Sequence, residues 1–336
     1  MKADRRMPIL RRCLLSVLAT LAAWTCLAFA QVQDKKVFRV GLLSGAARTP
    51  DGNAPKLFRD ALGGLGYVEG KNISYQARFA DGDAERLPGL AQELVGLKVD
   101  VIATLGGPAT AAAKRASSTI PIVMARAAGD AVATGWISSL ARPGGNVTGM
   151  TDELVQLSAK RMELLKEAVP NASVIAVLWN AADAGMTLRS QEIEKAARIL
   201  KVEVQAIGVR RAEDFDAAFK AIARSRPHAM FLISDPLTNM NSKSVIEFAA
   251  AQRIPAMYEN GFQARDGGLM AYGSSIEDDF RRAAVFIDRI FKGAKPGELP
   301  AEQPTRHYLT INAKTAATLG LPLPPALLFR ADQLYQ

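Results

Sequence analysis

Residues 120–150 read IPIVMARAAGDAVATGWISSLARPGGNVTGM, and this stretch decides the fold because it has the form of a joint between two sheets. Ile120, Ile122 and Val123 make a short apolar strand, Pro121 is tolerable only at a strand end or edge, and the run stops at small residues and the carboxylate of Asp130. Around Trp136, Ile137 and Leu140 the spacing predicts a short amphipathic helix, which Arg142-Pro143-Gly144-Gly145-Asn146 breaks. Val147-Thr148-Gly149-Met150 then restarts as extended chain. Strand, strand-end carboxylate, helix, glycine turn and return strand are what a chain needs to leave one α/β lobe for another.

Upstream, residues 37–43 are a strand with the loop Ser44-Gly45-Ala46-Ala47 at its exit. Ligands of open parallel sheets lie outside the carboxyl ends of strands, so this loop is a candidate binding element. A helix spaced on Leu57, Phe58, Ala61, Leu62 and Leu65, a strand over 73–79 and a helix over 87–95 follow. The buried strand 99–104 then opens into Leu105-Gly106-Gly107-Pro108-Ala109-Thr110. A glycine pair before a helix start offers backbone N–H groups and the positive end of a helix dipole, a seat for a carboxylate, to which Thr104 and Thr110 add hydroxyls. Neither the G-x-G-x-x-G of dinucleotide sites nor a phosphate-binding P-loop is present.

Downstream, a second βα series runs through strands at 174–180, 202–209, 229–234, 254–258, 269–272 and 308–311, with helices between. Alternating β and α without hairpin signals argues for two doubly wound α/β lobes with parallel sheets.

The first thirty residues stand apart. Lys2, Arg5, Arg6, Arg11 and Arg12 precede a nearly uncharged run, 13–30, that ends Ala28-Phe29-Ala30. This is the form of a secretory signal peptide, and cleavage is expected after Ala30, with the mature protein in the periplasm. The competing reading is an uncleaved anchor, since 13–30 is about long enough to span a bilayer. Both cysteines, Cys13 and Cys26, lie in the leader, so the mature chain has no disulfide, thiolate nucleophile or cysteine metal ligand. Of the chain's formal charge of +9, the leader's five cations and Asp4 account for four, leaving 9 − 4 = +5. That excess is spread along the chain and gives no case for nucleic acid.

Catalytic signatures are sparse. Only His228 and His307 are present, there is no G-x-S-x-G elbow, and no ligand spacing suggests a metal. No cofactor is expected. What the strand exits do collect is hydrogen-bonding and aromatic groups: Ser44, Thr104, Asp130, Trp179, Asn180, Asp235, Tyr258 and Glu259. Each could merely cap a helix or pack in a core. Their common position suggests a cleft with donors on one side and carboxylates plus aromatics on the other, suited to a zwitterionic small molecule such as an amino acid.

The segment SLARPGGNVTGM (139–150) resembles the signature of a family of ABC-transporter substrate-binding proteins that includes tryptophan-binding members. The likeness continues in GLGYVEGKNISYQARFADGDAERLPGLAQELV (64–95), GGLMAYG (267–273) and KGAKPGELPAEQPTRHYLTINAKTAATLGLPLPPALLFRAD (292–332). It implies the periplasmic binding protein type I arrangement, with three interlobe crossings near Met150, Tyr272 and Gln303. The first lobe is then 37–150 plus 271–302, and the second 151–270 plus 303–336. It further implies a monomeric receptor that captures a small molecule, an amino acid or related amphipathic compound such as an aromatic amino acid, between its lobes and delivers it to an ABC permease. The expected ligand residues are Ser44, Gly45, Thr104, Gly106, Gly107, Asp130, Trp179, Asn180, Asp235, Tyr258 and Glu259, with Asp235 the leading partner for an amine. An exported α/β enzyme with an unrecognised site and a ligand sensor are the alternatives.

Overall fold

Sequence and structure meet first at β1 (Phe38–Ser44), whose consecutive residues alternate between two apolar layers. Val40 and Leu42 pack on one face of its sheet and Leu43 on the other. Such a strand reads as a continuous apolar run because helices cover both faces. The structure, a computed structural model, describes residues 36–126, 130–151 and 154–336, so the leader and its cleavage point lie outside the described residues.

β1 is the second strand of a five-stranded parallel sheet that also contains β2 (Ile73–Phe79), β3 (Val101–Leu105), β4 (Ile122–Arg126) and β5 (Val147–Gly149). The order is β2-β1-β3-β4-β5. Its helices are α1 (Lys56–Gly63), α2 (Leu87–Gly96) and α3 (Gly107–Ala116).

The second lobe is built on β6 (Val174–Asn180), β7 (Glu203–Val209), β8 (Ala229–Leu232), β9 (Ala256–Tyr258), β10 (Met270–Gly273), β11 (Tyr308–Asn312) and β12 (Gln333–Tyr335), ordered β12-β11-β10-β9-β8-β6-β7. On β6, Ile175 and Val177 join one apolar layer while Ala176 and Leu178 join the other. Its helices are α4 (Leu154–Ala168), α5 (Ala184–Ile199), α6 (Phe215–Ser225), α7 (Pro236–Met240), α8 (Ser242–Ala251) and α9 (Gly261–Arg265). α10 (Ile276–Phe291) returns to the first sheet, where Phe280, Ala283, Ala284, Phe286 and Ile287 bury an apolar stripe. α11 (Ala313–Leu319) and α12 (Pro325–Phe329) close the second lobe through Ala316 and Leu327.

Three features differ from the reading of the sequence. β11 runs antiparallel to β10, because the third crossing brings the chain back from the opposite lobe rather than over a crossover helix. Ala271, Tyr272 and Gly273 belong to the second sheet through β10, so the second crossing falls after Gly273 and not at 271. The helix expected around Trp136, Ile137 and Leu140 is instead a set of turns over 131–138. There the Lys114 ammonium donates to the carbonyls of Gly135 and Trp136, and Ile137 is buried against the first core.

The first and third crossings lie side by side. Met150 and Glu302 form a parallel bridge, the Thr151 N–H donates to the Glu302 carbonyl at 2.9 Å, and the Glu302 N–H donates to the Gly149 carbonyl at 2.9 Å.

Candidate ligand-binding cleft

Parallel sheets place strand carboxyl ends at one edge, and the two edges here face each other across a cavity of about 260 Å³. From the first lobe, Ser44, Ala46, Leu105, Gly106 and Arg126 line it, joined by Ile276, Asp279 and Phe280 at the start of α10. From the second come Leu157, Arg161, Arg189, Ser234, Asp235, Pro236, Asn239, Glu259 and Asn260. Met150, Thr151, Ser274, Pro304 and His307 complete it from the crossings.

The second lobe presents a buried ionic cluster. Arg161 on α4 donates through Nη1 to Glu259 Oε1 at 3.1 Å, and through Nε to the Tyr272 carbonyl at 2.7 Å. Arg189 on α5 reaches both Glu259 oxygens from Nη2, at 2.9 and 2.8 Å, and the Ser234 N–H donates to Oε2 at 3.2 Å. All three ionic side chains are nearly inaccessible, so each charge depends on its neighbours. Glu259 is thus a saturated acceptor that orients two guanidinium groups at the cavity wall.

Across the cleft, Arg126 at the end of β4 donates from Nη2 to Asn260 Oδ1 at 2.7 Å in the opposite lobe, while its Nε lies 3.3 Å from Asp279 Oδ2. Asn260 in turn donates to Ser234 Oγ at 2.9 Å and caps α9.

Asp235 is the N-cap of α7. Its Oδ1 accepts from the Thr238 N–H at 2.8 Å, its own N–H donates to Thr238 Oγ1 at 2.8 Å, and Oδ2 accepts from Asn180 Nδ2 at 2.6 Å. Burial pushes its pKa up against those bonds. Asp183, the N-cap of α5, is pushed up to about 6, first by burial and then by the charge of Asp235.

Of the residues expected from sequence, Ser44, Gly106, Asp235 and Glu259 reach the cavity wall. Gly106 does so with its N–H already donated to the Arg126 carbonyl at 2.6 Å, so it is no free carboxylate seat. Thr104 is buried and hydrogen-bonded to Thr110 at 2.7 Å, and Gly107 begins α3 behind the wall. Asp130 accepts from the N–H groups of Val132 and Ala133, capping its own turn. Gly45 faces the opposite lobe rather than the cavity. Asn180 stands behind Asp235 as its donor. Trp179 packs against the core of the second lobe and Tyr258 is completely buried in it, so neither is a cleft wall. The residues that sequence reasoning missed are Arg126, Arg161, Arg189, Asn260 and Asp279, with the apolar wall of Leu105, Met150, Leu157, Ile276 and Phe280.

Residues 53–335, most of the chain, match the family described as ABC transporter substrate binding protein. The chain belongs to that family. As a substrate-binding protein of an ABC transporter it is 25% identical, over 87% of its length and 83% of the relative's, to a tyrosine-binding protein of Clostridioides difficile strain R20291. Two solved structures share the fold. One, an ABC domain from Streptococcus pneumonia in complex with L-Trp, has a TM-score of 0.81 at 22% identity, covering 89% of this chain and all of that one. The other, the ligand-free, open structure of a substrate-binding protein from Clostridium difficile, has a TM-score of 0.62 at 21% identity, over the same shares.

Proposed function

We propose that this substrate-binding protein is a periplasmic receptor, released by cleavage after Ala30, that closes as a monomer over an aromatic amino acid and presents it to an ABC permease. The observation that carries the reading is the division of the cleft wall into an apolar part and a part of alternating charge. Leu105, Met150, Leu157, Ile276 and Phe280 give the cavity apolar lining, and Arg126, Asp235 and Asp279 give it charged lining.

In this reading Arg126 takes the ligand's carboxylate, in place of the Gly106 and Gly107 amides, and Asp235 and Asp279 take its amine. Arg161, Arg189 and Glu259 hold the floor rigid. A ligand that touches both lobes favours the closed form in proportion to the contacts that only closure completes. The names of the tyrosine-binding relative and of the L-Trp complex support an aromatic amino acid.

Calorimetric titration of the protein lacking residues 1–30 against L-tryptophan, L-tyrosine, L-leucine and benzoate tests this. Micromolar or tighter binding of either aromatic amino acid, with benzoate inert, is expected. Tight binding of benzoate with no response to any amino acid would refute it.

A further inference from the structure

We propose that Pro236 is a closure stop seated on Gly45 and Gly106, and that these three residues set the spacing at which the lobes meet. The proposal rests on the two-lobe receptor reading. Gly45 lies between Ser44 and Ala46, which both line the cavity, yet a β-carbon built on Gly45 would lie 3.2 Å from Cβ and 3.3 Å from Cγ of Pro236 in the other lobe. Gly106, at the exit of the neighbouring strand β3, meets the same ring, with Cγ at 3.2 Å and Cδ at 3.4 Å. Two adjacent strand exits therefore offer a seat without side chains to one ring. The far end of the same short helix repeats the pattern, since a β-carbon on Gly82 would lie 3.2 Å from Met240 Cε. α7 thus rests on glycines at both ends.

The ring is held firmly. Proline fixes its own φ, and the preceding Asp235 is locked by its capping box with Thr238 and by Asn180. Pro236 and Gly106 also line the cavity but Gly45 does not, so bulk added at position 45 meets the Pro236 ring of the other lobe before it meets a ligand. A wider closed form loses contacts made only on closure, and affinity falls by that difference. Gly45 is the better probe of the two, because Gly106 has φ +95° and any side chain there is strained whether or not the lobes touch.

The test is a graded and rescued series in the protein lacking residues 1–30, which contains no natural cysteine. Gly45→Ala should weaken L-tryptophan or L-tyrosine binding a few-fold and Gly45→Val about tenfold or more, with the melting temperature of the empty protein unchanged. Gly45→Val combined with Pro236→Gly should return to within about threefold of Pro236→Gly alone. Spin labels on Glu85→Cys and Lys243→Cys should report a short interlobe distance at saturating amino acid that Gly45→Val lengthens and the double variant restores. Equal affinity and equal distances in wild type and Gly45→Val, or a double variant without recovery, would overturn the stop. If the wild type binds neither amino acid, the ligand reading fails and the labels on the empty protein decide alone. A Gly45→Val shift of the shortest distances to longer values then supports the stop, and unchanged shortest distances overturn it.

Discussion

Arg189 and Glu259 form a buried ion pair in which one guanidinium nitrogen contacts both carboxylate oxygens, at 2.9 and 2.8 Å, beside the cavity. Removing Glu259 takes from two nearly inaccessible guanidinium groups the carboxylate they share. Glu259→Ala is expected to cost on the order of 3–5 kcal/mol of stability, because Arg161 and Arg189 both lose their shared acceptor. Urea denaturation followed by fluorescence measures this. A loss below about 1 kcal/mol would show that other groups hold the two arginines.

Gly149→Ala should damage the first lobe without touching any ligand. Gly149 has φ +119°, and a β-carbon there would lie 2.5 Å from the Met124 carbonyl oxygen, so both conformation and space forbid it. The expected cost is roughly 2–5 kcal/mol. Thermal unfolding of the empty protein checks it, and a melting temperature equal to that of wild type would contradict the packing of β5 on β4.

Asp183 gives the protein a sign of pH dependence opposite to that of a salt-bridged carboxylate. Burial and Asp235 raise its pKa from 3.8 to about 6. Between those values the folded protein holds a proton that the unfolded chain has released, so this contribution is present in full below about pH 4 and is lost as pH rises through 6. Asp183→Asn keeps a capping oxygen for the Gly185 N–H and should remove this residue's part of the slope, leaving that of Asp235. It is expected to be more stable than wild type at pH 7.5, on the order of 2 kcal/mol, and nearly equal at pH 4. Urea midpoints at the two pH values decide, and equal differences at both would exclude the titration of Asp183 as the cause.

Asp235→Asn separates the two roles of that side chain. An asparagine oxygen can still accept from Thr238, but the new amide would meet the Asn180 amide donor to donor, since Asn180 Oδ1 is held by the Ala182 N–H. A stability loss of about 1–2 kcal/mol is expected from that pair alone. If Asp235 also receives the ligand's amine, affinity falls by a further tenfold or more, which calorimetry reads separately. Unchanged affinity alongside lowered stability would confine Asp235 to capping α7.

The alternation of apolar strands and amphipathic helices was readable because every strand of a doubly covered sheet carries the same signal. What local patterns could not carry was the return of the chain between lobes. The antiparallel pairing of β11 with β10 has no hairpin turn to announce it. Trp136, Ile137 and Leu140 have helical spacing, yet the segment carries Gly135 and is followed by Pro143, and turns bury Ile137 and pack Trp136 and Leu140 against the same core. Strand ends led to the cavity wall for Ser44, Gly106, Asp235 and Glu259 but not for Trp179 and Tyr258, whose rings fill core space. Arg161 and Arg189 were missed although they left a signal. Arg189 lies on the buried stripe of α5 between Met186 and Ile193, and Arg161 directly precedes buried Met162. A cation on an apolar face needs an anion inside, and that anion is Glu259.

The paired crossings at Gly149–Thr151 and Glu302 have a mechanical consequence. Three independent tethers would leave the lobes free to slide and twist, but two of the three are joined by reciprocal backbone hydrogen bonds and must deform as one ribbon. Sliding one segment past the other would break the hydrogen bonds between them, whereas bending them together keeps those bonds. The motion of one lobe against the other is thereby reduced toward a single degree of freedom. The Pro236 ring sits against Gly45 and Gly106 of the other lobe, where a constrained hinge would bring it back to the same seat.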